Sequence, residues 1–295
     1  MKRTMTILLA ALLPICAFAQ RDSLVVMFWN AENFFDTVED GAGPSDREFT
    51  PWGDRHWTRK RFETKSNAIA KVILKVGDRY GRMPDVVGFA EIENGTVMKS
   101  LVLDTPLRKL GYGIVHYESP DHRGIDCGLI YRKSSLSLAG SDHKHVYDGD
   151  GAVIQTRDIL IACFDSIAVL VNHHPSKVGG GGASRRAPAM DRMRSLMDSL
   201  INAGVPRVLA IGDFNEDLWH RGDGRGTIKY NGGWEKIDGC FTRGGISVRE
   251  DIIEDPVLLE KDGAYGGMKP RRTYSGPRYL GGISDHLPIV VTVYF

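Results

Sequence analysis

The sequence predicts an α/β chain in which two packed β-sheets are flanked by helices. Three observations predict it. Several near-continuous Val/Ile/Leu runs have the pattern of strands buried on both faces. Strand candidates outnumber helix candidates, which favours sheet packed on sheet. Polar clusters rich in Asn, Asp, Glu and His adjoin six of the apolar runs, so one edge of the sheets gathers reactive side chains.

In chain order, residues 1–19 read as a leader. Lys2 and Arg3 give a basic start, Ile7 to Leu13 an apolar stretch, and Ala17-Phe18-Ala19 a small-residue cleavage site. The apolar stretch is too short to span a bilayer. The expectation is export to the periplasm or beyond, with one domain over residues 20–295 and no stable membrane insertion. A lipoprotein reading through Cys16 competes, weakened by the bulky Ile15 before it. Strands are expected at 24–29, 85–90, 113–117, 127–131, 158–164, 167–172, 208–211, 236–241 and 288–295. Helical patterns occupy 59–76, 96–110 and 184–203. In the last, Met190, Met193, Leu196, Met197 and Leu200 recur at helical spacing and form one core stripe. Residues 39–56 and the glycine run 179–183 read as loops.

Composition narrows the function classes. Without Lys2 and Arg3 the 38 basic residues fall to 36, against 37 acidic ones. A general nucleic-acid binder carries a strongly basic surface; any polyanion contact here has to be local. Cys127, Cys163 and Cys240 remain after the leader, too few for a disulfide scaffold, and no Cys/His spacing suggests zinc. Cys127 and Cys163 fall on strands expected to be neighbours.

The clusters carry the chemistry. They are Trp29-Asn30-Ala31-Glu32-Asn33, Glu91-Ile92-Glu93-Asn94, Asp121 to Asp126, Asn172-His173-His174-Pro175-Ser176, Gly212-Asp213-Phe214-Asn215 and Ser284-Asp285-His286. Asp213 and Asn215 stand at i and i+2, so in extended chain they face the same way. A carboxylate that accepts a proton from water and an amide that donates to a charged oxygen suit phosphate-ester hydrolysis. No Ser or Cys nucleophile arrangement occurs among the clusters.

As a set, these residues resemble the endonuclease/exonuclease/phosphatase superfamily over nearly the whole chain after the leader. The matching pieces are Trp29-Asn30, Glu91, His173, Gly212-Asp213-Phe214-Asn215, the 226–238 segment ending in Asp238, and Ser284-Asp285-His286. The resemblance implies a four-layered α/β sandwich of two mixed sheets and divalent-metal phosphoesterase chemistry. It implies Glu91 and Asn30 as ligands of Mg²⁺ or Mn²⁺, with Asp285 completing the shell. It pairs His286 with Asp238, gives Asp213 the nucleophilic water and Asn215 the developing charge, and sets His173 near the leaving group. His174 is the rival for the His173 role, and Asp126 and Glu118 are the candidate partners of that histidine. A structural Ca²⁺ is a further candidate, with Glu39-Asp40 or Asp148 to Asp150 as ligands.

Substrate choice rests with the loops. Arg123, Lys177, Arg185, Arg186 and Arg272 lie beside site motifs, where they suit phosphate contacts. Trp52/Trp57 and Tyr274/Tyr279 are either base-stacking sites or core anchors. The expectation is an endonuclease acting on DNA or RNA. The alternatives are a phosphatase or phospholipase-type phosphodiesterase for inositol or sugar phosphates or sphingomyelin, and an inactive phosphate-binding protein.

Overall fold

The computed structural model describes residues 23–41, 43–177, 182–218 and 226–295. The expected leader and most of the glycine run lie outside them. The main strands are β1 (Ser23–Phe34), β2 (Val86–Ile92), β3 (Tyr112–His116), β4 (Asp126–Arg132), β5 (Leu138–Lys144), β6 (Ile159–Phe164), β7 (Ala168–His173) and β8 (Val208–Asp213). The hairpin of β9 (Ile228–Tyr230) and β10 (Gly233–Glu235) follows, then β11 (Asp238–Arg243) and β12 (Ser247–Ile252). Two further hairpins, β13 (Leu259–Lys261) with β14 (Met268–Pro270) and β15 (Tyr274–Ser275) with β16 (Arg278–Tyr279), precede β17 (Ile289–Tyr294). The helices are α1 (Pro44–Glu48), α2 (Arg59–Tyr80), α3 (Gly95–Leu103) and α4 (Gly182–Asn202).

Two mixed sheets result. One has the order β12-β17-β1-β2-β4-β3, the other β11-β8-β7-β6-β5. Only β1–β2 and β7–β8 pair in parallel among these strands. Alternation of side chains along each strand builds the layers. In β1, Leu24, Val26 and Phe28 join Val169, Val171, Leu209 and Ile211 in the core between the sheets. Val25, Met27 and Trp29 point the other way, onto Ile69, Ile73, Val97 and Leu101 of α2 and α3. Behind the second sheet, Met190, Met193, Leu196 and Met197 of α4 cover Val208 and Ala210. The order is helix, sheet, sheet, helix, the expected four-layered sandwich.

Local chemistry sets the boundaries. Thr58 caps α2 by accepting from the Arg61 N–H, and Gly81 ends it at a left-handed φ of 68°. The helix expected at 96–110 stops at Leu103: the proline at 106 disfavours helix at Thr105, and a 3-10 turn from Pro106 to Lys109 follows. Strands β5 and β12 were not expected. Both are edge strands with mixed, largely polar sequence, so neither shows a buried strand's apolar run. Cys127 lies on β4 of one sheet and Cys163 on β6 of the other, so their strands are not neighbours, and all three described cysteines are free thiols. Trp57, Tyr274 and Tyr279 pack with Phe49 in an aromatic cluster, so they are anchors; Trp52 stands 93% exposed. No described helix is long and apolar enough to cross a membrane.

Gly212 has a packing reason. A Cβ there would sit 2.5 Å from the backbone oxygen of Asn172 on the parallel neighbour β7. Gly212→Ala therefore has to push β8 away from β7. Chemical denaturation should show a loss of about 1–3 kcal/mol, the usual cost of overpacking; unchanged stability would contradict this reading of the glycine.

Candidate active site

Strand ends from both sheets meet at one mouth. Asn30, Glu32 and Asn33 come from β1, Glu91 from β2, His173 from β7, Asp213 from the end of β8, and Asp285 and His286 from the turn before β17. All line one cleft of about 690 Å³, with Asn215 beside them. The backbone is bent to make it. Glu32, Asn33, Glu91, Asn215 and Asn231 of the cleft all have φ between 47° and 59°, in the left-handed region that non-glycine residues avoid. The pairing register shifts in β1 between Asn30 and Phe34 and in β2 between Ala90 and Ile92. These irregularities turn Glu32 and Glu91 into the cleft. Strain of this kind concentrates at functional sites.

The centre is a buried chain of polar side chains. His286 Nδ1 is 2.8 Å from Asp238 Oδ2, and its Nε2 is 3.8 Å from Asp213 Oδ2. Asn30 Nδ2 donates to the same Asp213 oxygen at 3.0 Å, and the Asn215 N–H donates to Asp213 Oδ1 at 3.0 Å. Burial, then the Asp238 charge, pushes the Asp213 carboxyl up to about 7. Burial works to lower His286, but Asp238, Asp213 and Asp285 outweigh it and hold the imidazole well above its ordinary value. The pair therefore offers a proton acceptor near neutrality beside a protonated imidazole.

His173 faces the cleft from the other side. Its Nε2 lies 3.6 Å from Asp213 Oδ2 and 3.9 Å from Glu91 Oε1, and its Nδ1 has no partner. Burial, then Arg157 and Arg123, lowers it well below the usual value, so the ring is neutral. Its expected partners lie elsewhere. Asp126 receives His116 Nε2 at 3.1 Å and the Ser119 N–H at 2.8 Å, and Glu118 stands 3.9 Å from His116. The nearest carboxylates to His173 are instead those of Asp213 and Glu91. His174 packs edge-on against Phe214, and burial pushes it down to about 3; it does not line the cleft.

Oxygen donors for a cation gather next to this chain. Burial would raise Glu91, but Arg123 and the Asn33 N–H, at 2.7 Å from Oε2, outweigh it and keep the carboxylate ionised. Asn30 Oδ1 accepts from the Glu32 N–H at 2.9 Å, and Asp285 is held by Arg272 Nη2 at 2.9 Å. An ionised, buried carboxylate flanked by an amide oxygen and a second carboxylate fits a hard divalent ion that keeps several waters. The Asp213–Asp238–His286 cluster is compact too, but its Asp238 and His286 atoms are engaged with each other, which leaves fewer free donors there for a cation.

Sequence reasoning missed several parts. Glu32, visible in its motif but not singled out, accepts the Thr273 N–H at 2.6 Å and Arg272 Nε at 3.4 Å. Burial, then Asp285, pushes it up to about 7. Beneath it, buried Lys65 donates to Thr273 Oγ1 at 2.8 Å and to the Glu32 carbonyl. Arg157 is buried and holds the 173–174 turn through Nε to His173 O at 3.1 Å and Nη2 to His174 O at 2.6 Å. Only its position before a strand was legible. Of the expected substrate contacts, Arg123, Arg185 and Arg272 line the cleft; Lys177 pairs with Glu235, and Arg186 lies off the lining. Tyr230 and Tyr265, on neighbouring hairpin turns, line it at 62% and 60% exposure.

A model of the endonuclease/exonuclease/phosphatase family matches residues 25–223 and 220–294. No curated protein matches at the level of sequence. Among solved structures, the chain resembles D. rerio TDP2 complexed with single strand DNA product at 16% identity and a TM-score of 0.53, covering 93% of this chain and 100% of that one. It resembles the human Nocturnin catalytic domain with bound sulfate at 15% identity and a TM-score of 0.53, over 93% and 95% of the two chains. It resembles a mannosyl-6-phosphatase from Bacteroides thetaiotaomicron at 16% identity and a TM-score of 0.55, over 92% and 100%. At these identities the likeness is one of fold. The family model spans both sheets and every site strand, and the chain belongs to the endonuclease/exonuclease/phosphatase family, whose members hydrolyse phosphoester bonds with divalent metals.

Proposed function

We propose that this chain is an exported, divalent-metal-dependent phosphodiesterase that cuts nucleic-acid strands. One observation carries the reading: the Asp238–His286–Asp213 chain meets ionised Glu91 in a cleft that also holds Arg123, Arg185, Arg272 and two exposed tyrosines. Guanidinium groups suit the anionic backbone, and an exposed tyrosine offers a face on which any base stacks.

The chain's own residues divide the work. Glu91 and Asn30, with Asp285, would hold Mg²⁺ or Mn²⁺, and such an ion would supply positive charge against the phosphate oxygens. Asp213 accepts the proton of the attacking water. His286, kept protonated by Asp238, donates from Nε2 to a non-bridging oxygen as charge grows there. Neutral His173 donates a hydrogen bond to the leaving oxygen. Asn215 gives one amide N–H to His174 O at 2.9 Å, which leaves its second N–H for the substrate.

A second reading has its own support. The β9–β10 and β13–β14 hairpins are locked together by a buried ion pair, Lys229 to Asp262 at 2.9 Å. That wall encloses one side of the cleft, which suits a small sugar phosphate, and one relative of the same fold is a mannosyl-6-phosphatase. Supercoiled plasmid and mannose 6-phosphate, assayed side by side, separate the readings. A nuclease nicks the plasmid, with rates that fall steeply as salt rises. Phosphate release from the sugar with intact plasmid overturns the nuclease reading.

His286→Ala and Asp213→Asn should each lower kcat by roughly 10²–10⁴-fold, the range of a lost acid–base group, while circular dichroism stays unchanged. A His286→Ala protein with full turnover removes the assignment. EDTA should abolish activity, and Mg²⁺ or Mn²⁺ should restore it; hydrolysis that resists the chelator removes the metal from the scheme.

The pH profile has a defined sign. Asp213 works as the carboxylate, so kcat/KM climbs as pH rises towards about 7. His286 works protonated, so activity falls on the alkaline side. Asp238→Asn takes away the charge that holds His286 up, and the alkaline limb should move to lower pH. A limb that stays in place contradicts the dyad's role.

A further inference from the structure

We propose that Asp36, Asp40, Asp46 and Glu93 form a second cation site, separate from the catalytic one, that binds Ca²⁺. Asp36 follows β1 and Glu93 follows β2, while Asp40 and Asp46 come from the intervening loop and the first turn of α1. One carboxylate oxygen from each of Asp36, Asp40 and Glu93 lies within 4.8 Å of the others. The Asp46 carboxyl stands within hydrogen-bonding reach of Glu93, and Asp46 Oδ2 takes the Gly41 N–H at 2.6 Å.

The independent observation is Glu93 itself. Its side chain is 3% exposed, and its Oε1 is buried without a hydrogen-bond partner. Its Oε2 accepts the Asp36 N–H at 2.6 Å. Facing carboxyl oxygens such as those of Glu93 and Asp46 are held together by a shared proton or by a cation, and Glu93 Oε1 has no N–H of the protein to accept from. Among the described residues, no Lys or Arg forms an ion pair with any of the four acids. A cation between the oxygens lets these buried carboxylates stay ionised without the cost of an unpaired charge. The donor set is all oxygen, drawn from an irregular loop. Ca²⁺, with 6–8 oxygen ligands and flexible geometry, suits it better than Mg²⁺, which demands a near-ideal octahedron.

The site also reaches the active centre. A Cβ on Gly43 of this loop would sit 2.2 Å from the backbone carbon of Arg123, so the loop packs directly on the 123–124 backbone. Arg123 Nη2 in turn lies 3.5 Å from Glu91 Oε1. A cation that pins the loop to the end of β2 thereby steadies Arg123 over the cleft.

Calorimetric titration of CaCl₂ into the metal-stripped protein tests the proposal. Glu91→Gln silences the catalytic ligand and should keep one Ca²⁺ site, with a melting temperature raised by Ca²⁺. Asp40 is exposed, so adding Asp40→Asn leaves the fold intact; it should weaken Ca²⁺ binding at least about tenfold, as loss of a charged ligand does, and cancel the thermal shift. Glu93→Gln should abolish the site. Absence of Ca²⁺ uptake by the Glu91→Gln protein overturns the proposal, as does unchanged affinity after Asp40→Asn. Uptake of Mg²⁺ in preference to Ca²⁺ overturns the choice of ion.

Discussion

The gap between the two sheets is bridged at one end by polar groups, and the site depends on that bridge. Asp213 and Asp238 belong to the second sheet; Asn30, and His286 just before β17, belong to the first. Asn30 donates to Asp213, and His286 pairs with Asp238, each across the interface. Further contacts fix the first-sheet partners. Trp29 Nε1 donates to His286 O at 2.9 Å, and Ser284 Oγ donates to Asn30 O at 2.6 Å. The apolar core between the sheets sets their separation, and the polar chain at its end is placed by that separation. Site geometry and core packing are therefore one problem in this fold.

Burial explains the electrostatics. Every member of the Asp238–His286–Asp213 chain is nearly removed from water. In such surroundings, neighbouring charges act strongly and unpaired ones are costly. Two carboxylates close to one imidazole resolve their repulsion by raising Asp213 and protonating His286. On the opposite side, Arg157 and Arg123 keep Glu91 ionised and His173 neutral. One cleft thus holds an acceptor, a charged donor and a neutral donor, distinguished by their neighbours.

Much of this was legible in the sequence because it follows from period and composition. β1, β7, β8 and β17 are apolar on both faces, and their runs announce them. The polar residues that end them were visible as clusters, and Asn30, Glu91, His173, Asp213 and His286 do share one cleft. What escaped depends on long-range contact. β5 and β12 are polar edges, assigned by pairing alone. Asp126 and Glu118, the partners the sequence offers for His173, instead serve His116. Arg157 and Lys65 reach the site by burying long side chains from a strand approach and from a helix. Tyr230 and Tyr265 reach it from short hairpins with no apolar pattern. None of these carries a local signature.

The central claim is that Asp238 and His286 act as one unit at the reacting phosphate. A double-mutant cycle on kcat/KM, using Asp238→Asn, His286→Gln and the two combined, tests it directly. Residues acting as a unit give strongly non-additive losses. The account predicts that the double variant is no slower than His286→Gln alone. Losses that simply multiply would show two independent residues and contradict it.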